Sequence, residues 1–263
     1  MLEVGQLLDG KYRILDGVNQ SEMSDVYFAI DESNNKLLAV KEAHKNVTID
    51  LCTIEQELIA ETDMLKKLKH PHLPGIADII DTTTSYIIIM DYINGYLLDE
   101  VVRDFGAQPE EAVIDWAKQL CDVYIYLHGK NPPIICRNPN LCNITLQSDI
   151  SDEYPWGKIY LIDFVTARIN KSFREDETDV FGLRYDCDFY TNAGSNIMYI
   201  GATMYSLVTG RPLIYLIDGY KTRHNPSRKL KKIITKCMER YPISGTYQSC
   251  NELKHDLMRI KTN

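Results

Sequence analysis

Between residues 11 and 42 short apolar runs alternate with Asp, Asn, Ser and Gly: KYRIL, then DVYFAID, then Asn34-Asn35 before KLLAVKE. Such a rhythm, broken by turn formers, predicts a meander of antiparallel strands with Asn34-Asn35 at a hairpin turn. From Thr53 to Lys69 the spacing becomes helical, with Ile54, Leu58, Glu61, Leu65 and Leu68 on one face, and His70-Pro71 ends it. The unbroken, β-branched run YIIIMDYI over residues 86–93 predicts a buried strand.

Beyond that strand the pattern turns helical. Pro109 opens a long amphipathic helix whose apolar face carries Val113, Trp116, Ala117, Leu120, Tyr124 and Leu127, and Gly129 closes it. Two short strands follow, NITL and KIYLIDF. Asn196 to Val208 is almost wholly apolar, which predicts a helix buried all round that stops at Gly210. A last helix starts at Ser249, with Glu252 in capping-box spacing, and runs through Leu253 and Leu257. A small strand-rich part, residues 1–93, thus precedes a large helical part, residues 94–263, and the fold class is α+β: two lobes of one domain with a cleft between them.

Composition narrows the function classes. The 263 residues are 44% hydrophobic and 25% charged, as in an ordinary globular chain. A formal charge of -8 argues against non-specific binding to nucleic acid or an anionic membrane. No basic segment leads into an apolar run at the N-terminus, and no window approaches the roughly 18 apolar residues of a spanning helix, so the expectation is a cytoplasmic chain without membrane insertion. Seven Cys with no CxxC pair fit reduced, buried thiols better than disulfides or a zinc site.

Five motifs in order, across nearly the whole chain, resemble the protein kinase family, in particular the bacterial serine/threonine kinases of the eukaryotic type. Ala39-Val40-Lys41 resembles the V-A-I-K strand, and ETDMLKKLKHP the helix whose Glu, here Glu61, pairs with that Lys. IMDYING resembles the hinge that holds adenine, with Met90 as gatekeeper. CRNPNLCN stands where the family has H-R-D-x-K-x-x-N, and DFV where it has D-F-G. The resemblance implies a bilobal kinase-like fold, a small antiparallel β-sheet N-lobe and a larger mainly helical C-lobe. It further implies ATP at Val18, Val26, Ala39, Lys41, Glu61, Met90, Asp91, Ile93 and Thr145, and Mg²⁺ through oxygen ligands at Asn143 and Asp163. A plainer reading of Lys41 with Glu61 is an inter-lobe strut, and of Asp163 a turn cap.

The departures fall on the chemistry. The family's catalytic Asp is Asn138, whose amide does not serve as a general base near neutral pH, and the phosphate-stabilising Lys is Asn140. The family His becomes Cys136, apolar and small enough to fill the space beneath the loop. The glycine-rich loop has Asn19, Ser21 and Ser24 at its three glycine positions with Glu22 between them, which would hold the backbone off the phosphates; a plain hairpin turn is the alternative. After DFV the chain has no A-P-E and runs roughly five residues short of the family's pattern. Asn196 replaces the Asp that opens the buried helix, and Thr246 the late Arg that pairs with the A-P-E Glu. Both members of that pair are lost together, which leaves no orphaned buried charge.

These features predict a pseudokinase that binds ATP weakly or not at all and acts through protein contacts. The alternative is a slow or atypical ATP-dependent kinase, or another phosphoryl or nucleotidyl transferase. The implied partner is a protein of the active-kinase or signalling class, with a second copy of the chain left open as related kinases pair.

Overall fold

The computed structural model describes residues 2–20, 24–44, 65–131, 133–134, 136, 141–162, 193–211, 226–238 and 246–260. The chain divides into two compact units, Met1–Asn94 and Gly95–Asn263.

The first unit is a six-stranded antiparallel sheet of order β1-β2-β3-β4-β6-β5, formed by Leu7–Leu8 (β1), Tyr12–Gln20 (β2), Ser24–Asp31 (β3), Lys36–His44 (β4), Ile76–Asp81 (β5) and Ser85–Asp91 (β6). The β3–β4 turn falls at the predicted Asn pair: Asn35 takes φ 58°, and Asp31 gathers the amide and hydroxyl of Ser33 and the amide group of Asn34. Asn tolerates that left-handed conformation better than β-branched residues do. Tyr12, Ile14, Tyr27, Ala29, Leu38, Val40, Ile87 and Ile89 form one apolar cluster that also buries Leu2 and Leu8. Tyr27, Val40 and Ile89 lie opposite one another on β3, β4 and β6, so side-chain alternation assigns this cluster to one face of the sheet.

One polar group is buried at the edge of that cluster. The Glu42 carboxylate accepts from the Leu2 amide (3.2 Å) and from the Ser85 hydroxyl (3.0 Å). The Tyr27 hydroxyl lies 3.4 Å from both Glu42 and Asp25. Burial pushes the Tyr27 phenol up, the Leu2 amide opposes that, and the two carboxylates add to it. These bonds replace the water the carboxylates lose, as burial of charge requires.

The second unit is mainly helical. A small antiparallel sheet, β7 (Tyr96–Leu97), β8 (Ile144–Gln147) and β9 (Lys158–Leu161), lies with α1 (Leu98–Phe105) and the long α2 (Glu110–His128); then come α3 (Ala193–Thr209), α4 (Arg228–Met238) and α5 (Cys250–Met258). Helix α2 starts after Pro109 and ends at Gly129 as its pattern requires, and all six apolar-face residues are buried. Its Trp116 indole donates to the Trp156 carbonyl (3.0 Å), and the Gln119 side-chain carbonyl accepts from the Ile159 amide (2.9 Å), so the helix fixes β9. The predicted helix at Asn196 begins at Ala193, and among its described side chains only Tyr205 is not fully buried.

Helices α3 and α4 meet at Gly201. A Cβ built there would lie 2.5 Å from Cys237 Cβ, so only glycine allows this approach. At the start of α5 the Ser249 hydroxyl accepts from the Glu252 amide (3.3 Å), while the Glu252 carboxylate accepts from Gln248 (3.0 Å) rather than Ser249, one residue off the expected box.

Some expectations change. KIYLIDF forms a strand over Lys158–Leu161, and the Ile162 amide still donates to the Asn143 carbonyl (2.9 Å), while Asp163 and Phe164 lie outside the described residues. Cys121, Cys136, Cys237 and Cys250 are buried as expected and form no disulfide, whereas Cys142, in a one-turn 3-10 helix, Leu141–Asn143, is exposed. Burial pushes Cys250 up to about 12 and Cys121 and Cys237 well above the ordinary thiol range, so these thiols stay protonated and inert. No helix among the described residues is long and apolar enough to cross a membrane.

Candidate nucleotide site

The predicted adenine and phosphate positions of the first unit share one sheet face, opposite the apolar cluster. Val26 pairs with Lys41 and Phe28 with Ala39 across β3–β4, while Lys41 pairs with Ile88 and Ala39 with Met90 across β4–β6. The two-residue alternation sets Val26, Ala39, Lys41 and Met90 on the same side, an apolar surface with one ammonium among its members. Met90 is buried, and Val26, Ala39 and Lys41 are half-buried. Val18 is exposed: it lies in an irregularity of the β2–β3 ladder, between the paired residues Gly17 and Asn19.

The hinge residues follow directly. The Asp91 amide donates to the Gly75 carbonyl (2.9 Å), and its carboxylate pairs with Lys36 (2.5 Å). The Asp91 side chain is therefore held by its own unit, which leaves the backbone of residues 91–93 as the polar edge an adenine ring would meet. The Ile93 amide has no partner among the described residues. Tyr92 packs edge-on against Phe28, ring centroids 5.1 Å apart.

The β2 and β3 strands extend to Gln20 and from Ser24, and Gln20 pairs with Asp25. Asn19 and Ser24, at two of the three expected glycine positions, are therefore ladder residues of a hairpin; Ser21 and Glu22 lie outside the described residues. Glu61, Arg137, Asn138, Asn140 and Asp163 also lie outside them, as does most of the predicted helix Thr53–Lys69.

In the second unit, Thr145 and Asn143 are set by β8. Thr145 is buried and pairs with Leu97 and Tyr160. A Cβ on Gly95 would lie 2.3 Å from the Leu146 carbonyl oxygen, so the chain enters this unit backbone against backbone. Asn143 ends the 3-10 turn, and its carbonyl accepts from Ile162, the residue before Asp163. The 143 and 162 backbones thus extend the β8–β9 ladder by one step. The Asn143 side-chain carbonyl accepts a weak contact from the Cys142 thiol (3.6 Å), and an amide oxygen is a neutral ligand of the kind hard divalent cations take. Among the described residues no group of three His, Cys, Asp or Glu side chains could hold a metal by itself.

Beneath the catalytic-loop position lies a feature whose geometry the sequence did not reveal. Asn196, fully buried on α3, donates its amide to the Cys136 carbonyl (2.6 Å) and faces His128 Nε2 with its oxygen (2.8 Å). Because the Asn196 oxygen only accepts, Nε2 must carry the imidazole proton. Cys136 is itself buried, filling the space its position predicts. Asn196 thus ties α2, α3 and the start of the loop together without a formal charge. Thr246, at the other relaxed position, is buried and accepts from the Gln248 amide group (3.1 Å).

Burial holds the His128 imidazole below its ordinary 6.5, and the Asn196 bond partly offsets this. A folded-state value below the unfolded one means the unfolded chain binds more protons on acidification. The stability is present above about 6.5 and is lost as pH falls through the folded value. The expected result is a melting temperature that declines below about pH 6.5, with His128→Gln flattening that part of the profile.

Comparison with known proteins agrees with this geometry. The protein kinase domain profile matches residues 12–261, and the chain belongs to that family. A probable serine/threonine-protein kinase of Clostridium perfringens is 22% identical over 98% of this chain and 39% of its own length. One of Dictyostelium discoideum is 24% identical over 80% of this chain and 41% of its own length. The chain thus spans about two-fifths of these relatives. The crystal structure of the Mycobacterium tuberculosis PknI kinase domain superposes with a TM-score of 0.71 at 19% identity, covering 98% of this chain and 99% of that one. The fold is that of protein kinases, an antiparallel sheet unit and a mainly helical unit.

Proposed function

We propose that this chain is a pseudokinase, a serine/threonine-kinase-like domain that binds ATP with Mg²⁺ weakly, does not turn it over, and acts through protein contacts. The observation that carries the reading is Asn138 at the position of the catalytic base. Loss of general-base assistance is worth about 10²–10⁴ in rate, and Asn140 removes the neighbouring positive charge as well. Both changes fall on transition-state stabilisation and leave nucleotide affinity to other residues. Val26, Ala39 and Met90 supply an apolar surface for the base, the backbone at Asp91 and Ile93 its polar edge, and Lys41 a charge for the phosphates. Asn143 with Asp163 would hold the metal, which when bound neutralises phosphate charge. The neutral tie at Asn196 supports the same reading: it secures the loop's backbone while the loop's reactive side chains are gone.

Thermal unfolding with and without Mg-ATP tests binding. At about 100 times its dissociation constant the nucleotide adds roughly 2.7 kcal/mol, a rise of about 5–10 °C in Tm. Lys41→Ala and Asp163→Ala are expected to abolish that rise. No rise in the wild type would remove nucleotide binding and leave the protein-contact role alone.

A second reading, a slow kinase or a nucleotidyl transferase, is favoured by the retained Asn143 and Asp163 and by the kinase names of the relatives. Incubation with ATP labelled at the γ or the α phosphate separates the two chemistries. Label transfer that disappears on changing Asp163 would overturn the pseudokinase reading.

A further inference from the structure

Helix α4 is divided lengthwise. Leu230, Ile233, Ile234 and Cys237 are buried, whereas Arg228, Lys229, Lys231 and Lys232 are all exposed. At 100° per residue these four cations occupy an arc of about 160° within little more than one turn.

The arrangement works against the helix that carries it. The first turn contains no acidic residue, so the cations crowd the positive end of the helix dipole. Residues 228 and 231, 228 and 232, and 229 and 232 are like charges at i,i+3 or i,i+4 spacing, which also destabilises a helix. Glu110, a carboxylate at this end, is engaged by the amide and hydroxyl of Ser227, at 2.8 and 2.5 Å. Among the described residues none of the four has an acidic partner within ion-pair distance. Lys236, one turn on, contrasts with them: it pairs with Asp256 (3.8 Å) and lies 3.8 Å from the centre of the Tyr247 ring. Local rules broken without internal compensation are expected where a surface serves a partner.

We propose that the exposed face of α4 docks a short acidic segment, a run of Asp and Glu, of a partner protein. Charge complementarity selects the occupant. Each of the four cations set aside lowers the chain's net charge of -8 by one, to -12, so the patch is a local exception on an acidic protein. At physiological salt a charge acts over about 8 Å, comparable to the patch itself. A short acidic segment meets only the patch, whereas a nucleic-acid duplex or an anionic bilayer would also meet the acidic remainder. Three Lys and one Arg on exposed, flexible stems suit dispersed carboxylates better than a single phosphate, which calls for a converging fork of donors. An acidic partner would relieve the dipole and like-charge repulsion at once.

This deepens the protein-contact part of the proposed function. The titration that tests it needs no nucleotide, so its failure and that of Mg-ATP binding are distinguishable. A fluorescein-labelled octa-glutamate peptide titrated with the full chain at low salt is expected to bind saturably, and to weaken steeply as salt rises to about 0.15 M. R228E/K229E/K231E/K232E is expected to weaken binding at least about tenfold, and the neutral K231Q/K232Q about threefold. The fourfold reversal also places acids at the positive helix end, so its Tm is expected to rise by about 2–4 °C, which separates lost docking from lost folding. Lys130→Glu, in the same unit, is expected to leave binding within about twofold. Absence of peptide binding at low salt would overturn the proposal, as would an equal loss in Lys130→Glu. Tighter binding of a DNA duplex or of phosphatidylserine vesicles through the same four residues would overturn it too, by assigning the face to an extended polyanion.

Discussion

Asn196→Leu is expected to lower the melting temperature by about 6–12 °C, the equivalent of roughly 3 kcal/mol. Leucine keeps the branched outline, but its methyls are bulkier than the amide atoms, so the loss includes some overpacking beside the two hydrogen bonds. Without the amide, the Cys136 carbonyl loses its donor and the His128 Nε2–H its acceptor, both in a buried setting where an unsatisfied polar group costs about 1–3 kcal/mol. Asn196→Asp separates the two contributions. It keeps an acceptor for His128 but offers the Cys136 carbonyl no donor, and its charge favours a protonated imidazole. Its stability loss should therefore be smaller, and the decline below about pH 6.5 should shrink, because the folded-state value of His128 moves back toward the unfolded one. A leucine variant melting within about 2 °C of wild type would show that water satisfies both groups.

Trp116→Ala is expected to cost about 3–5 kcal/mol in a denaturant titration, with an unchanged slope if the unfolded state is unaffected. Trp116 is 3% exposed in the middle of α2 and packs where that helix meets β9. Most of the loss is the cavity left by the ring. A smaller part is the indole bond to Trp156, worth about 1 kcal/mol, which Trp116→Phe removes together with only part of the ring volume. Because Trp116 and Gln119 together locate the β8–β9 hairpin, the alanine variant should also weaken any metal-dependent Mg-ATP shift more than its stability loss alone explains. Both positions on that hairpin, Asn143 and the residue preceding Asp163, move with it.

Much of this architecture was legible in the chain because its patterns are long. Nineteen residues of α2, bracketed by Pro109 and Gly129, leave little choice of period, and the apolar α3 segment has too few polar residues to face water. Of the short elements, the four-residue β8 and β9 were legible in NITL and KIYL, but the two-residue ones were not. Tyr96–Leu97 is a strand of two residues whose existence depends on Thr145 and Leu146 arriving from 48 and 50 positions away, and nothing local announces it. Helix α4 was not predicted; the buried Leu230, Ile233, Ile234 and Cys237, at helical spacing, are the signal that finds it. At the site, Val26, Ala39, Lys41 and Met90 were named from resemblance, and strand register then sets them on one face. Position 196 was noticed only as a missing carboxylate. That its amide bridges His128 and Cys136 depends on residues 68 and 60 positions distant, which no local pattern encodes.

The contact at Gly201 limits how this sequence can vary. Any methyl group added at 201 needs space that the Cys237 Cβ now fills, so the two positions should exchange volume: homologous chains with alanine or serine at 201 should carry glycine at 237. A library randomised at both sites and selected for folded protein should recover that reciprocal pairing and reject bulk at both.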